Sequence, residues 1–250
     1  MLNPSSQPRW TVADSLETYA IRHWGNGYFG INPKGNVCVH PDGPSGTSVD
    51  LKELVDEVRR RGLGLPLLIR FTDLLRDRVV ALNEAFTKAI AEHNYRGGYR
   101  GVYPIKVNQH RYVVETIVDT GRRYAYGLEA GSKPELLAVM ALLEDEKALV
   151  ICNGYKDEEY VETALFASKL GRQVIQVIEK PSELALIAQV SGRLNIRPRL
   201  GVRVKLSSRG AGKWEASGGD RSKFGLSSSE LMDSISFMRQ EGLLDCFEQI

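Results

Sequence analysis

From residue 101 onward, the chain alternates between short apolar runs and longer segments in which apolar residues recur every three or four positions. Short apolar runs bounded by turn residues indicate buried strands, and the longer spacing indicates amphipathic helices. The predicted strands lie at residues 102–107, 124–128, 148–152, 174–178, 200–204 and from about 247. The predicted helices lie at residues 111–120, 133–143, 157–170, 181–190 and 229–239.

Three local signals mark the starts of these helices. Ser132 with Glu135, and Ser227 with Glu230, have the spacing of a capping box. Pro181 stands where a first helical turn accepts proline.

The middle strands recur about every 25 residues, which is the spacing of consecutive βα units. The predicted fold class is α/β, either a TIM-type (β/α)8 barrel or an open doubly wound parallel sheet. A closed barrel needs eight units, whereas five units and the start of a sixth fit before Ile250. We therefore expect an incomplete barrel that forms the N-terminal part of a longer polypeptide.

The first part of the chain has a different pattern. Residues 21–46 combine glycine and proline with short apolar segments, a composition typical of strands and turns. Apolar spacing predicts helices at residues 50–61 and 73–93, and an apolar run predicts a strand at residues 67–69. The expected organisation is a polar tail at residues 1–15, a strand-rich segment at residues 16–70 and the barrel at residues 71–250.

Composition narrows the functional classes. With 42% apolar and 26% charged residues the chain has the composition of a soluble globular protein, and its longest apolar run, eight residues, is too short to span a bilayer. A net charge of +2 gives no electrostatic reason to expect nucleic acid or an anionic membrane as partner. The three cysteines form no CxxC motif, and the four histidines show no metal-ligand spacing, so we expect reduced thiols in a cytoplasmic protein.

The sharpest local feature is the segment GVYPIKVNQ at residues 101–109. Strand alternation would place Tyr103, Ile105 and Val107 against the helices and Lys106 toward the barrel interior. Lys106 would then point inward at the carboxyl end of the first parallel strand, where barrel enzymes have their active sites. Burial lowers the pKa of a lysine, and a neutral amine forms Schiff bases with carbonyl groups. The alternative is a solvated lysine at a strand end.

Two further charged residues are candidates for the same site. Glu129 is out of phase with the apolar residues of the second predicted strand, and Arg203 with those of the fifth, so both should face the interior. Glu129 could instead favour the N-terminus of the helix that follows Ser132. A buried arginine needs an anionic partner, and Glu129 is the nearest candidate; a purely structural ion pair is the alternative role for Arg203.

Several stretches together resemble a known family. They are WGNGYF at residues 24–29, GGYRGVYPIKVNQ at 97–109, GLEAGSKPEL at 127–136, CNGYKD at 152–157 and the block at 201–226. In this order they resemble the pyridoxal-phosphate-dependent decarboxylases with an alanine-racemase-like barrel, known as fold type III. Within that family they are most similar to the biosynthetic arginine decarboxylases.

The resemblance implies a function and roles for the three candidate residues. The function is pyridoxal-phosphate-dependent decarboxylation of L-arginine to agmatine and CO2, in polyamine biosynthesis. Lys106 would form the internal aldimine with pyridoxal 5'-phosphate and be the catalytic residue, while Glu129 and Arg203 would join it in binding the cofactor. Alternatives are decarboxylases of the same fold that act on ornithine, diaminopimelate or carboxynorspermidine, or a non-catalytic regulatory homologue, although such a homologue has no need of Lys106.

The resemblance also implies partners that the residues themselves do not reveal. It implies a homodimer or larger assembly such as a tetramer, a small amino-acid substrate and a magnesium ion with no identified ligands. The strand-rich N-terminal segment resembles sequence that joins a separate β-domain. The family's main phosphate-binding glycine loop would lie beyond Ile250, so the basic segment at residues 205–224 is not interpreted as the phosphate site. Because it is long and aperiodic it is interpreted as a lid, with a solvated charged loop as the alternative.

Overall fold

The computed structural model of the chain describes residues 9–43, 46–205 and 224–250. The chain forms two compact units, residues 1–81 and residues 82–250, and the division falls inside helix α4 (Thr72–Glu92). The segment interpreted as a lid lies, from residue 206 to residue 223, outside the described residues.

The first unit contains a small antiparallel sheet and helices. Its elements are α1 (Val12–Thr18), α2 (Ile21–Trp24), β1 (Phe29–Ile31), β2 (Val37–Val39), β3 (Val49–Asp50), α3 (Leu51–Arg60) and the start of α4. The strands pair in the order β1-β2-β3. The helices predicted at residues 50–61 and 73–93 are confirmed, and so are strands and a turn within residues 21–46, although Ile21–Trp24 at the start of that range is a helix.

Two expectations for this unit differ from the structure. Helix α1 begins inside the predicted polar tail, because Thr11 and Asp14 form a capping box that the sequence analysis overlooked. The predicted strand at residues 67–69 is wrong: this run has no strand, and Leu68 is exposed. An apolar run alone does not make a strand, because a strand also needs a hydrogen-bonded neighbour.

Asp50 joins the sheet of the first unit to helix α3. One carboxylate oxygen, Oδ1, accepts from the backbone N–H groups of Lys52 and Glu53 at 2.9 and 3.1 Å, which caps the helix. The other, Oδ2, accepts from the side-chain amides of Asn32 and Asn36 at 2.8 and 2.9 Å, at the turn between β1 and β2. These hydrogen bonds, that of Asn36 foremost, lower the pKa of Asp50 to about 2.

The second unit follows the predicted alternation of strands and helices. Its elements are β4 (Val102–Pro104), α5 (Arg111–Gly121), β5 (Gly127–Ala130), α6 (Lys133–Leu142), β6 (Leu149–Cys152), α7 (Glu158–Lys169), β7 (Gln173–Ile178), α8 (Pro181–Leu194), β8 (Leu200–Val202), α9 (Ser228–Gln240) and β9 (Phe247–Gln249). All six strands are parallel and pair in chain order, from β4 to β9. A doubly wound sheet reverses its strand order partway, and this sheet does not, so it is wound as a barrel is.

The sheet has two apolar faces of unequal size. The larger layer lies between strands and helices and includes Leu128, Ala130, Val150 and Ile178. The opposite, interior face carries a small cluster of Ile151, Ile175 and Val177, with Val102 and Leu149 packed against it. Residues that alternate with the larger layer along each strand therefore face the interior.

The predicted helix starts are confirmed with one exception. Pro181 opens α8, and the capping box of Ser227 and Glu230 is present at α9. Ser132 is the N-cap of α6 but its side chain makes no capping hydrogen bond, so the predicted box there is wrong. Glu135 reaches back past Ser132 and accepts from the Gly131 N–H at 2.6 Å instead.

All three cysteines are buried and free. Burial raises the pKa of the Cys152 thiol to about 12, so this sulfur stays protonated at neutral pH. Among the residues that the structure describes, no helix is both long and apolar enough to cross a membrane.

The capping role of Asp50 generates a pH-dependent prediction. Asp50→Asn removes the second carboxylate oxygen, so we expect the substitution to lower the free energy of unfolding at pH 6. Because the pKa in the folded state is about 2 against an ordinary value of 3.8, the contribution of the charge is present above pH 3.8 and is lost as the pH falls toward 2. The difference from wild type should therefore narrow between pH 6 and pH 3 in urea-unfolding measurements on the intact protein.

Asp119→Asn is the matched control, since Asp119 is exposed on α5. It should leave the free energy of unfolding nearly unchanged throughout. An effect of Asp50→Asn that is constant over this pH range would contradict the assignment of the stabilisation to the Asp50 charge.

Candidate active site

The carboxyl ends of the parallel strands meet at one edge of the sheet, which we call the carboxyl edge. Charged residues stand at or just beyond the ends of four of these strands. They are Lys106 after β4, Glu129 within β5, Glu179 after β7 and Arg203 after β8. The carboxyl edge is where parallel α/β folds build their ligand sites.

Lys106 lies at this edge, but its local structure differs from the prediction. Strand β4 ends at Pro104, and Ile105–Val107 forms a short 3-10 helix. Lys106 is exposed rather than buried, and Val107, expected to pack under the helices, is 70% exposed. Proline has no N–H to donate to a neighbouring strand, so Pro104 was the signal that the strand ends there.

Glu129 faces the sheet interior, as predicted, although its strand begins three residues later than expected, at Gly127. The carboxylate is buried, with the residue only 4% exposed. Its Oε1 accepts from the Asn153 side-chain amide at 3.0 Å, whereas its Oε2 is buried and has no hydrogen-bond partner in the described part of the chain. The alternative role near the start of α6 is filled by Glu135.

Arg203 pairs with Glu179, and the predicted pairing with Glu129 is wrong. Its Nη1 lies 3.3 Å from Oε1 of Glu179, and its side chain is 52% exposed. Strands β7 and β8 are neighbours, whereas β5 lies three strands from β8, so a residue after β7 is much closer to Arg203 than one in β5. Sequence reasoning missed Glu179, whose signal was a charged residue directly after a buried strand.

Aromatic side chains line the same edge beside Arg203. The Arg203 guanidinium lies 5.5 Å from the centre of the Phe224 ring, and the Phe224 ring lies 5.4 Å from that of Tyr155. The Lys180 ammonium lies over Tyr155 at 3.1 Å from the ring centre. The resulting rim presents cations and aromatic faces, a surface suited to a flat anionic ligand.

Close approach of two loops fixes Asn153 against Glu129. The Asn153 N–H donates to the Ala130 carbonyl at 2.8 Å, and the Tyr160 hydroxyl donates to the same carbonyl at 3.0 Å. Gly154 has a φ of +76°, and a Cβ there would lie 2.1 Å from the Gly131 carbonyl oxygen. Both the backbone angle and the contact require glycine.

Comparison with known proteins identifies the family of the chain. A family profile described as "Pyridoxal-dependent decarboxylase, pyridoxal binding domain" matches residues 77–245. The chain belongs to the pyridoxal-dependent decarboxylases. The resemblance seen in the sequence and the expected barrel architecture are thereby confirmed.

Two biosynthetic arginine decarboxylases are similar to this chain over almost its whole length. The chain is 52% identical to the biosynthetic arginine decarboxylase of Gloeobacter violaceus over 239 residues, which cover 96% of this chain and 37% of that protein. The corresponding protein of Phocaeicola vulgatus is 50% identical over 242 residues, covering 97% of this chain and 38% of that one. This decarboxylase chain thus spans little more than a third of the length of these relatives.

Solved decarboxylase structures share the fold. The biosynthetic arginine decarboxylase of Campylobacter jejuni superimposes with a TM-score of 0.80 at 35% identity, covering 92% of this chain and 36% of that one. A diaminopimelate decarboxylase from M. jannaschii superimposes with a TM-score of 0.65 at 18% identity, covering 91% and 47%. The second similarity shows the fold alone.

The tight loop contact of this decarboxylase chain generates a prediction about stability. Gly154→Ala should lower the free energy of unfolding far more than Gly171→Ala, because both glycines have positive φ but a Cβ at Gly171 meets nothing within 4 Å. We expect about 1–2 kcal/mol for Gly171→Ala from the backbone angle alone, and at least about 2 kcal/mol more for Gly154→Ala.

Urea unfolding of the intact protein carrying each substitution measures the two costs. Equal costs would show that the contact of Gly154 with Gly131 is not tight in solution.

Proposed function

We propose that the protein containing this chain is a pyridoxal-phosphate-dependent decarboxylase that converts L-arginine to agmatine and CO2 in polyamine biosynthesis. The observation that carries the proposal is the identity of about half of all aligned residues with proteins named biosynthetic arginine decarboxylase, over almost the whole of this chain. Because the chain covers little more than a third of those relatives, their substrate is proposed here for the intact protein rather than for these residues alone.

The residues at the carboxyl edge have the chemistry to hold pyridoxal phosphate. The cofactor carries an aldehyde, a protonated ring nitrogen and a phosphate. Lys106 offers an accessible amine, Glu129 offers a buried carboxylate oxygen that has no partner among the described residues, and Arg203 offers a half-exposed guanidinium. A buried, unpaired carboxylate oxygen is costly unless a donor or cation reaches it, so Glu129 Oε2 supports a ligand at this position.

Each residue then has a defined task. When bound, pyridoxal phosphate supplies an electron sink for the pair released as the carboxylate leaves. Lys106 would hold the cofactor covalently through Nζ, and the same amine, at an exposed edge, can carry protons to and from the site. Glu129 would hold a cationic or protonated group through Oε2, and Asn153 orients its carboxylate. Arg203 would bind anionic groups on its solvent side, with Glu179 holding its Nη1.

Decarboxylation of another amino acid and a regulatory role are the two alternative functions. Diaminopimelate decarboxylases share the fold, and ornithine and carboxynorspermidine are further substrates of the same reaction type. A regulatory homologue would keep the fold without the chemistry, but the lysine at the carboxyl end of β4 favours an enzyme.

Release of CO2 tests the proposed substrate. The intact protein, loaded with pyridoxal phosphate, should release labelled CO2 from L-arginine and form agmatine. Release from ornithine, diaminopimelate or carboxynorspermidine should be at least about tenfold slower. Faster release from one of these three would replace arginine with that substrate.

Borohydride reduction tests the role of Lys106. Reduction of the loaded protein should leave a pyridoxyl group on the peptide that contains Lys106, as measured by mass spectrometry. Lys106→Met should abolish the adduct and lower kcat by about 10²–10⁴-fold or more, since it removes both covalent attachment and a proton carrier. Absence of an adduct together with absence of CO2 release would favour the regulatory homologue.

The unpaired oxygen of Glu129 generates a further prediction. Glu129→Gln keeps an acceptor for Asn153 but removes an uncompensated buried charge. We expect the cofactor-free protein to become more stable by about 1 kcal/mol, and pyridoxal phosphate to bind roughly tenfold more weakly or worse. Urea unfolding and cofactor titration measure these opposite changes.

Glu146→Gln serves as the control for Glu129→Gln, because Glu146 is exposed and should alter neither quantity. Loss of stability in cofactor-free Glu129→Gln would mean that the native carboxylate has a partner within the protein and is not waiting for a ligand.

We further propose that the intact protein is a cytoplasmic homodimer or tetramer that uses magnesium. The three buried free cysteines support a reducing compartment. Magnesium and assembly rest on the sequence resemblance; the described residues contain no group of three or more His, Cys, Asp or Glu able to bind a metal. Light scattering measures the assembly, and CO2 release after EDTA treatment, with and without added Mg²⁺, tests the metal.

A further inference from the structure

A second lysine, Lys156, lies behind the carboxyl edge and is buried, whereas Lys106 is exposed. The side chain of Lys156 is 0% exposed. Its ammonium donates to the Gly154 carbonyl at 2.8 Å and to the Val177 carbonyl, and lies 3.6 Å from Oε2 of Glu183. These contacts join the loop after β6, strand β7 and helix α8 through one cation.

Glu183 connects Lys156 to the end of β7. Its carboxylate is buried in the first turn of α8, where the helix dipole also favours a negative charge. Its Oε1 accepts from the backbone N–H of Lys156 at 3.2 Å, and its Oε2 accepts from the backbone N–H of Glu179 at 2.8 Å. The Glu183 carboxylate therefore fixes the backbone of Glu179 at the place where β7 stops.

Glu179 in turn holds Arg203. Its carbonyl oxygen accepts from the Gly225 N–H at 3.3 Å, and its side-chain Oε1 lies 3.3 Å from Nη1 of Arg203. The backbone of Glu179 is thus held on both sides, by Glu183 and by Gly225. With the backbone fixed, the buried carboxylate of Glu179 has a defined direction from which to hold the guanidinium.

The buried ammonium of Lys156 offsets part of the negative charge that is buried around it. Among the described residues, three carboxylates are buried, those of Glu129, Glu179 and Glu183, against the single buried cation Lys156. Burial lowers the pKa of Lys156, while Glu183 opposes that effect. Removal of the ammonium would leave the buried Glu183 charge with its two N–H donors but without a cationic partner, which is unfavourable.

We propose that Lys156 is a positioning residue that orients Arg203 at the carboxyl edge through Glu183 and Glu179. Lys156 is pinned by two carbonyl groups and a carboxylate beneath the edge, so it acts through the chain of contacts and not as a reactive amine. The proposal rests on the proposed function in one respect, namely that Arg203 contributes to cofactor binding.

A double-mutant cycle on the intact protein tests the proposal. The variants are Lys156→Met, Arg203→Met and the double substitution, with Lys169→Met as control because Lys169 is exposed at the end of α7. The dissociation constant of pyridoxal phosphate is measured for each variant by absorbance titration. Each single substitution should weaken binding about tenfold, and the double substitution should weaken it about tenfold as well, not about a hundredfold.

Independent, multiplicative effects in that cycle would overturn the proposal, since they would mean that Lys156 does not act through Arg203. If Lys156→Met does not fold, Lys156→Met with Glu183→Gln removes both charges while it keeps an acceptor for the Glu179 N–H. The variant with both substitutions then takes the place of Lys156→Met in the cycle, and effects that multiply with those of Arg203→Met would again overturn the proposal.

A measurement without cofactor separates the two proposals. Hydrogen exchange of the Glu179 amide, followed by mass spectrometry of cofactor-free protein, should accelerate at least about tenfold in Lys156→Met and remain unchanged in Lys169→Met. Unchanged exchange in Lys156→Met would overturn the positioning role. If exchange is faster in Lys156→Met but the wild-type protein releases no CO2 from arginine, the positioning role stands and the proposed substrate is wrong.

Discussion

Carboxylates taken out of water at the end of a parallel sheet need compensating donors, and this requirement shapes the second unit of the chain. Glu183 receives two backbone N–H groups and an ammonium, and Glu179 receives a guanidinium on one oxygen. Glu129 receives a single amide on Oε1, and Oε2 of Glu129 and Oε2 of Glu179 both lack a hydrogen-bond partner among the described residues. Of the three carboxylates, Glu183, which lies behind the carboxyl edge, is the one whose two oxygens both have described donors.

The loops around Glu129 show how the fold preserves this uneven compensation. The Tyr160 hydroxyl contacts the carbonyls of both Ala130 and Asn153, and Gly154 approaches Gly131 closely, so Asn153 has little freedom to turn away from the Glu129 carboxylate. A carboxylate so constrained cannot move to find a second partner within the chain. The position of this carboxylate thus depends on the backbone of the two loops as well as on its own side chain.

Periodicity correctly predicted the alternation of strands and helices and the face that Glu129 occupies. The inward direction of Glu129 follows from its phase relative to Leu128, and the six parallel strands follow from the repeating units. Periodicity carries no information about neighbours in space. Arg203 was therefore assigned the wrong partner, and Lys156 passed unnoticed because its burial depends on the Val177 carbonyl and on Glu183, which lie on other elements. Lys106 was misplaced for a local reason, since Pro104 ends the strand before the alternation reaches it.

The order of the strands has a consequence for how this polypeptide acquires its structure. Within the described sheet of the second unit, each strand after β4 pairs with the strand just before it in the chain. The loop-closure entropy of each such pairing is consequently that of one connecting helix and its loops. Synthesis on the ribosome proceeds in the same direction, so the sheet can grow by one strand and one helix at a time as the nascent chain emerges.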